Sequence, residues 1–407
     1  GSRVRVLLLN QTFHPDVMAT AQYLTQAATA LTERGHEVTV VASRRAYDEL
    51  NRVFPAQEEW RGVRIFRVWS TRFGKVAKWR RATDFASFLF SCSLRLAWLP
   101  RSDVVVALTS PPLISFIGAA LTRLRGSRFV YWVMDFNPDE AIAAGWLRRD
   151  SFAARGLELC SRFSLRHATR IVVLDRFMRD LVLTKGIAAE KVAVIPPWSH
   201  DDTVRFDAPG RERFRQQHGL SGKFVVMYSG NHSPCHPLDT VLAAAERLAA
   251  DPRFMFVFVG GGSEFRKIEQ RVAGRRESGN VLCLPYQPLA ELSASLSAAD
   301  LHVVVMGNQF VGTIHPCKIY NVLSVGAPVL YVGPQPSHVS EVLNGLEAEV
   351  CAHVKHGEVE TCVAEIRRLA NQPASRGSEN QRKMATAFSQ RNWLPRLVAE
   401  IEGCRWS

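Results

Sequence analysis

The stretch Gly312-Thr-Ile-His-Pro-Cys-Lys-Ile-Tyr-Asn-Val-Leu-Ser-Val-Gly-Ala-Pro-Val-Leu330 reads as a loop, a helix and a buried strand, in that order. Pro316 suits the first turn of a helix, where its missing N–H costs nothing, and Gly326 suits the stop, where a left-handed residue is needed. The N–H groups of the segment Thr313, Ile314, His315 and Lys318 would then face outward with the positive end of the helix dipole. A fold can hold phosphate this way without a metal, and a nucleoside diphosphate is the natural guest.

Outward from this stretch, short β-rich runs alternate with helical patterns along the whole chain, the signature of parallel α/β domains. In the first half the strands fall at 4–9, 37–41, 63–68, 104–108, 128–133 and 170–174, with a helix at 19–34 closed by Gly35. Pro196-Pro197 interrupts the pattern directly after a strand ending at Ile195 and reads as a hinge. The alternation then restarts, with strands at 224–229, 254–260, 280–284, 301–306, 328–332 and 349–351, and helices at 239–250, 264–273, 289–298 and 316–325. The expected architecture is therefore two doubly wound, Rossmann-like domains, 1–197 and 198–380, facing across a cleft lined by strand carboxyl ends. The last stretch, 381–407, carries Trp393, Leu394, Leu397 and Ile401 at near-helical spacing and is expected to pack back on the first domain.

Composition agrees with two cores. The chain has 407 residues, too many for one ordinary core, and its 47% hydrophobic and 22% charged content is that of a soluble globular protein. Its eight cysteines are scattered without a C-x-x-C pair, which points to a reducing cytoplasm and away from a disulfide framework or structural zinc. The opening hydrophobic run reads as a strand, not a signal peptide. The longest uncharged run, 104–122, is cut by Pro111-Pro112 and reads as strand, turn and helix, not as a membrane span. Charge is uneven: residues 1–197 hold 29 Lys plus Arg against 17 Asp plus Glu, and the remainder 22 against 21. A fold does not require that asymmetry, so the first half is expected to meet an anionic partner such as membrane headgroups, a phosphorylated lipid or nucleic acid.

Five loops carry candidate chemistry. The turn from Asn10 to Gln22 offers His14, Asp16 and Thr20 to a sugar or an incoming hydroxyl; alternatively Asp16 or Thr20 only caps the helix. The segment from Tyr131 to Glu140 ends a strand with Asp135, Asp139 and Glu140, and a carboxylate there suits acid–base or sugar-binding work, unless Asp139 only starts a helix. In the segment from Met227 to Asp239, Gly230 lets the backbone approach a ligand, while Asn231, His232 and His236 stand where phosphate oxygens would lie. The histidine spacing spans Pro234 with no carboxylate partner, which disfavours a metal. The run Gly260-Gly261-Gly262 lacks the G-x-G-x-x-G spacing, so its glycines serve a turn and close approach, and Tyr286 at the next strand end is placed for a flat base. Residues 60–81 hold eight basic and no acidic residues, among them Arg72, Lys75, Lys78, Arg80 and Arg81, interleaved with Trp60, Phe66, Trp69, Phe73 and Trp79. The helix that follows shows Phe90, Leu94 and Trp98 on the side away from its core stripe, a pattern suited to an anionic leaflet.

Taken in order, these segments resemble the retaining glycosyltransferases of family 4, with the two-domain GT-B fold, over nearly the whole chain. The likeness rests on the turn from Phe13 to Gln22, Ser110-Pro-Pro112, Met134-Asp-Phe-Asn-Pro138 and Lys318-x-Tyr-Asn-x-Leu-x-x-Gly-x-Pro328, and it is greatest to the bacterial branch of exopolysaccharide, colanic acid and O-antigen synthesis. It implies a UDP-sugar donor as co-substrate, a lipid-linked or glycan acceptor, no metal or other cofactor, no nucleic acid, and work at the inner face of the cell membrane from the cytoplasm. The family's Arg and Lys for the donor diphosphate fall here on Asn231 and His236, its paired glutamates on Thr313 and Asn321, and a frequent histidine on Met134. Phosphate neutralisation would then pass to helix-end N–H groups, His232, His236 and Lys318. Asp135, Lys318 and His236 are the expected catalytic set. A nucleotide-sugar epimerase of the same fold, or a non-catalytic sugar- or nucleic-acid-binding protein, is the alternative.

Overall fold

The computed structural model describes residues 2–47, 49, 51–74, 76–274, 279–373 and 376–403; Lys75 and Cys404 lie outside the described residues. Two compact units share the chain: residues 1–197 with 312–314 and 393–407, and residues 198–311 with 315–392.

The first unit is built on β1 (Arg5–Leu9), β2 (Glu37–Ser43), β3 (Gln57–Trp60), β4 (Val63–Val68), β5 (Val104–Ala107), β6 (Arg128–Trp132), β7 (Arg170–Val173) and β8 (Val192–Val194), in the order β3-β4-β2-β1-β5-β6-β7-β8. Its helices are α1 (Ala19–Glu33), α2 (Lys78–Trp98), α3 (Ile114–Arg125), α4 (Asp139–Ala143), α5 (Phe152–His167) and α6 (Arg176–Thr184). The central strands are runs of Val, Ile and Leu because a parallel sheet covered on both faces leaves no polar side, and Leu8, Leu9, Val40, Val106 and Val130 are wholly buried. The run 104–122 is β5, a turn and the start of α3. Among the described strands of this unit, β3 alone runs antiparallel. Its Gln-Glu-Glu-Trp sequence gives no strand signal; it pairs as an edge whose burial alternates between exposed and partial.

The second unit holds β9 (Phe224–Asn231), β10 (Phe254–Gly261), β11 (Val281–Leu284), β12 (Leu301–Val305), β13 (Val329–Val332) and β14 (Cys351–Val354), all parallel, in the order β11-β10-β9-β12-β13-β14. Around it lie α7 (Ala208–Gln217), α8 (Asp239–Arg247), α9 (Ser263–Ala273), α10 (Leu292–Ser297), α11 (Lys318–Val325), α12 (His338–Asn344), α13 (Val359–Ala370) and α14 (Glu379–Ala387).

The expected single tail helix from 381 is two helices. α14 stays with the second unit, packed on α11, where the fully buried Gln381 donates Nε2 to the Ala327 carbonyl at 2.7 Å. α15 (Gln390–Glu402) follows, and the chain rejoins the first unit only from Trp393. There Glu400 takes a paired ion contact from Arg170, with Nε at 2.6 Å and Nη2 at 3.0 Å, while Arg128 Nη1 donates to the Ile401 carbonyl at 2.9 Å. Glu402 meets both Arg34 Nε at 2.6 Å and His36 Nε2 at 2.7 Å.

Each sheet reverses its winding at one place, between β1 and β5 in the first unit and between β9 and β12 in the second. Ligands of doubly wound sheets bind outside the carboxyl ends at that reversal. In the first unit Gln11 N donates to Ser110 O across it at 2.7 Å, and in the second Gly307 N donates to Cys235 O at 2.9 Å.

Candidate functional site

The strongest site lies at the reversal of the second unit. α11 begins at Lys318, two residues later than the expected first turn at Pro316, with Cys317 as its cap residue. Pro316 stays outside because its carbonyl is drawn to His338, whose Nε2–H donates to it at 3.0 Å. His315, expected among the ligand-facing groups, is instead buried structure: its ring stacks on His338 with centroids 3.5 Å apart, and its Nε2 meets the Tyr320 hydroxyl at 2.6 Å. That stack props the amino end of α11 from beneath. Gly326 closes the helix at φ +69 as the sequence requires, and a side chain there would strike the Gly377 backbone.

Lys318 Nζ lies over the Tyr228 ring, 3.4 Å from its centroid, and 3.4 Å from the Asn231 carbonyl. An ammonium seated on an aromatic face and held by one carbonyl keeps its remaining N–H donors for an anion. Burial pushes its pKa well below the ordinary lysine value. Gly230, at φ +136, makes this possible, since a Cβ there would stand 2.6 Å from Lys318 Cε. Tyr228 supplies the seat, a role the sequence hides because an aromatic residue inside a strand reads as core.

Both histidines of the β9 loop depart from the expected phosphate-donor role. His232 is fully buried, its Nδ1–H donates to the Gly230 carbonyl at 2.9 Å, and its ring sits edge-on to Tyr228 and Phe265. Burial first, then the charge of Lys318, lowers its pKa to about 3. It is a neutral brace under the glycine turn, and its Nε2 is a buried acceptor without a partner among the described residues. His236 donates Nδ1–H to the Val305 carbonyl at 2.8 Å, and burial followed by Lys318 lowers it to about 3 as well. A neutral imidazole with Nδ1–H committed offers only a lone pair at Nε2, so His236 can accept from a hydroxyl but not donate to a phosphate. Of the four groups expected to neutralise phosphate, the two histidines are neutral, which leaves Lys318 and the helix-end N–H groups.

Gly260, Gly261 and Gly262 bring the β10 turn against the β9 loop. His232 N donates to Gly261 O at 2.9 Å, Glu264 N donates to His232 O at 3.2 Å, and a Cβ on Gly260 would collide with the Gly230 carbonyl. Gly261 leaves room for the half-exposed Tyr286 ring, whose Cε2 would be 2.9 Å from an added Cβ. Asn321, one turn into α11, has a buried Oδ1 without a partner among the described residues, which is an acceptor suited to a ligand hydroxyl.

The first unit gathers the other expected residues at its own reversal. His14 stacks on Trp60 with centroids 3.9 Å apart, and burial, ahead of nearby charges, lowers its pKa. Arg67 Nη2 holds the His14 carbonyl at 2.8 Å. Asp16 accepts from Tyr47 N at 2.9 Å and from Met18 N at 3.4 Å, so one carboxylate ties two loops. Thr20 meets the Thr12 hydroxyl at 3.2 Å. Neither Asp16 nor Thr20 caps α1: the cap residue is Met18, without a side-chain bond.

Asp135, beyond the end of β6, is raised in pKa by burial, against hydrogen bonds with Thr109 and Glu140 and the charge of Arg81. Its Oδ1 is buried with no partner among the described residues, beside a cavity of about 20 Å³ lined also by Thr109, Tyr131 and Ser161. Asp139 is spent elsewhere, accepting from Lys185 Nζ at 3.0 Å, and it opens α4. Thr313 and Ile314 belong with this unit, not with Lys318: Thr313 O accepts from Phe136 N at 3.0 Å, and Ile314 is buried.

Among the described residues, no three His, Cys, Asp or Glu side chains are placed to hold a metal ion, and no helix is long and apolar enough to cross a membrane.

Comparison with known proteins agrees with this frame. Residues 19–198 match the glycosyl transferase 4-like domain, and residues 210–388 match the glycosyl transferases group 1 domain. The chain is 24% identical to an Escherichia coli glycosyl transferase, WcaI, whose name assigns it to colanic acid biosynthesis, over 98% of this chain and all of that protein. Among solved structures it is similar to sucrose-phosphate synthase from Thermosynechococcus elongatus, with a TM-score of 0.74 at 14% identity over 98% of this chain and 99% of that one. It is also similar to Anabaena HepE in complex with UDP and glucose, with a TM-score of 0.73 at 15% identity over 98% and 100% of the two chains. Two parallel-sheet α/β units, each with its loops gathered at a winding reversal, and two family domains that together span most of the sequence place this chain among the GT-B glycosyltransferases of the family 4 type.

Proposed function

We propose that this enzyme transfers a sugar, with retention, from UDP to a hydroxyl of a lipid-linked or glycan acceptor, without a metal, at the inner face of the cell membrane. The carrying observation is a seated cation, Lys318 over Tyr228 at the amino end of α11, with Gly230 and the β10 glycines leaving backbone room for a diphosphate. A structural relative bound to UDP and glucose and a sequence relative named for colanic acid biosynthesis support the donor and the polysaccharide setting.

In this reading the bond from the anomeric carbon to the β-phosphate oxygen breaks and its electron pair goes to the phosphate. The acceptor oxygen bonds to the same carbon on the same face, and its proton passes to the departing phosphate oxygen. Lys318 and the first N–H groups of α11 stabilise the leaving charge. His236 Nε2 and Asn321 Oδ1 accept from donor hydroxyls, Tyr286 borders the base, and His14 and Asp135 orient acceptor or sugar.

A thermal-shift panel of UDP-, GDP-, ADP- and dTDP-sugars tests the donor: UDP-sugars should raise the melting temperature by mass action and the others should not. A shift with another nucleotide alone would replace UDP in the assignment. Incubation of the responding nucleotide-sugar by itself should give no isomer, and isomer formation would turn the reading to an epimerase.

A further inference from the structure

α2 carries apolar residues on two opposite sides. Phe88, Cys92 and Leu96 are buried against the sheet, as a surface helix requires. On the other side Trp79, Phe90, Leu94 and Trp98 are 61%, 66%, 51% and 86% exposed. From Ala82 to the end of the helix every exposed residue is uncharged. The two charges in that span are turned elsewhere: Asp84 accepts from Thr71 Oγ1, Phe73 N and Gly74 N, and Arg95 lies over the Phe66 ring. The amino end is the reverse, with Arg72, Lys78, Arg80 and Arg81 exposed. Two further apolar residues on helices of this unit are exposed, Leu124 of α3 at 85% and Phe152 of α5 at 91%.

We propose that this outer face of α2 seats the enzyme on an anionic lipid leaflet, with Trp79, Phe90, Leu94 and Trp98 in the headgroup layer and the cations of its amino end on lipid phosphates. It deepens the membrane-surface reading above and rests on it. Three observations select lipid over other occupants. A helix with one uncharged apolar side and a cationic end has the composition of an interfacial helix, and no described helix can cross a bilayer. The excess positive charge of the chain lies almost wholly in residues 1–197, which suits an anionic surface. Two of the four apolar residues on that side, Trp79 and Trp98, are tryptophan, which concentrates where a bilayer meets water.

The placement also serves the chemistry. Arg81 acts electrostatically on Asp135, and Lys78 Nζ donates to the Trp146 carbonyl at 3.2 Å, so the amino end of α2 lies at the carboxyl edge of the sheet where the acceptor residues gather. An acceptor anchored in the same leaflet would then present its hydroxyl without leaving the bilayer.

Sedimentation with vesicles of phosphatidylcholine, alone or with one third phosphatidylglycerol, tests this with the full chain. The wild type should bind the anionic vesicles, and Phe90→Ser, Leu94→Ser, Trp98→Ser combined should bind about tenfold or more weakly. Arg72→Gln, Lys78→Gln, Arg80→Gln combined should lose the preference for phosphatidylglycerol. Both variants should keep the wild-type melting temperature and nucleotide-sugar shift, because all six residues are exposed. Equal binding by the triple serine variant, or no binding by the wild type, would overturn the proposal. So would a wild-type dimer that the serine changes convert to a monomer. Failure of the donor reading is visible separately, as a nucleotide-sugar panel without any shift.

Discussion

At the scale of single residues, one lysine stands where relatives of this fold are expected to place two cations, and the groups beside it adjust to that. His232 and His236 are neutral and turned to carbonyls, so they shape the loop without adding charge. Gly230→Ala should weaken UDP binding about tenfold or more in calorimetry and also lower the melting temperature, since the new methyl displaces the Lys318 side chain from Tyr228 and a φ of +136 strains any residue with a Cβ. The lowered pKa of Lys318 has a sign that can be read. In the free enzyme the ammonium loses its proton below the ordinary lysine range, and a bound diphosphate restores it. UDP affinity should therefore fall as pH rises toward the ordinary lysine range, with proton uptake on binding. Lys318→Arg should flatten the profile, and an unchanged slope in that variant would assign the titration to another group. These local roles were only partly legible beforehand. Lys318, Gly230 and Asp135 stand out by type and place, but whether a histidine faces ligand or core depends on which carbonyl its Nδ1 finds, and that is a property of the folded loops.

At the scale of elements, the alternation of strands and helices was readable because parallel strands buried on both faces must be runs of branched apolar residues. β3 was not readable, since an edge strand needs no apolar pattern, and the break between α14 and α15 was hidden because α14 buries the polar Gln381 and so has no apolar stripe whose end would mark it. The return of α15 to the first unit rests on charge as well as on Leu394, Leu397 and Ile401. Arg170 and Glu400 are 21% and 13% exposed, so removing one partner leaves the other poorly solvated. Glu400→Ala should destabilise the protein by about 3 kcal/mol, seen as a lowered denaturation midpoint. Arg170→Met with Glu400→Leu should recover most of the loss, and a single variant as stable as the wild type would show the pair to be idle.

At the scale of the molecule, the pattern of charge and the two windings were both written in composition and order, whereas the exposed side of α2 required the structure to show which apolar residues the sheet leaves uncovered. The second unit also carries buried neutral histidines that couple stability to pH. His302 Nε2–H donates to the Leu296 carbonyl at 2.8 Å, and burial lowers its pKa to about 4, as it lowers His232 to about 3. An unfolded histidine titrates near 6.5, so their stabilisation is complete above that value and is lost as pH falls toward the folded pKa. Each should cost roughly 1.4 kcal/mol per pH unit across the window from 6.5 down to 4. His302→Gln should flatten the fall in melting temperature on acidification, and an equal fall in both proteins would exclude His302 as a source. The central claim, that one seated lysine carries the charge of the donor diphosphate, is tested most directly by sugar transfer from UDP-sugar in Lys318→Ala at saturating acceptor. The rate constant kcat should fall about a hundredfold or more with an unchanged melting temperature; full turnover in a folded Lys318→Ala protein would contradict it.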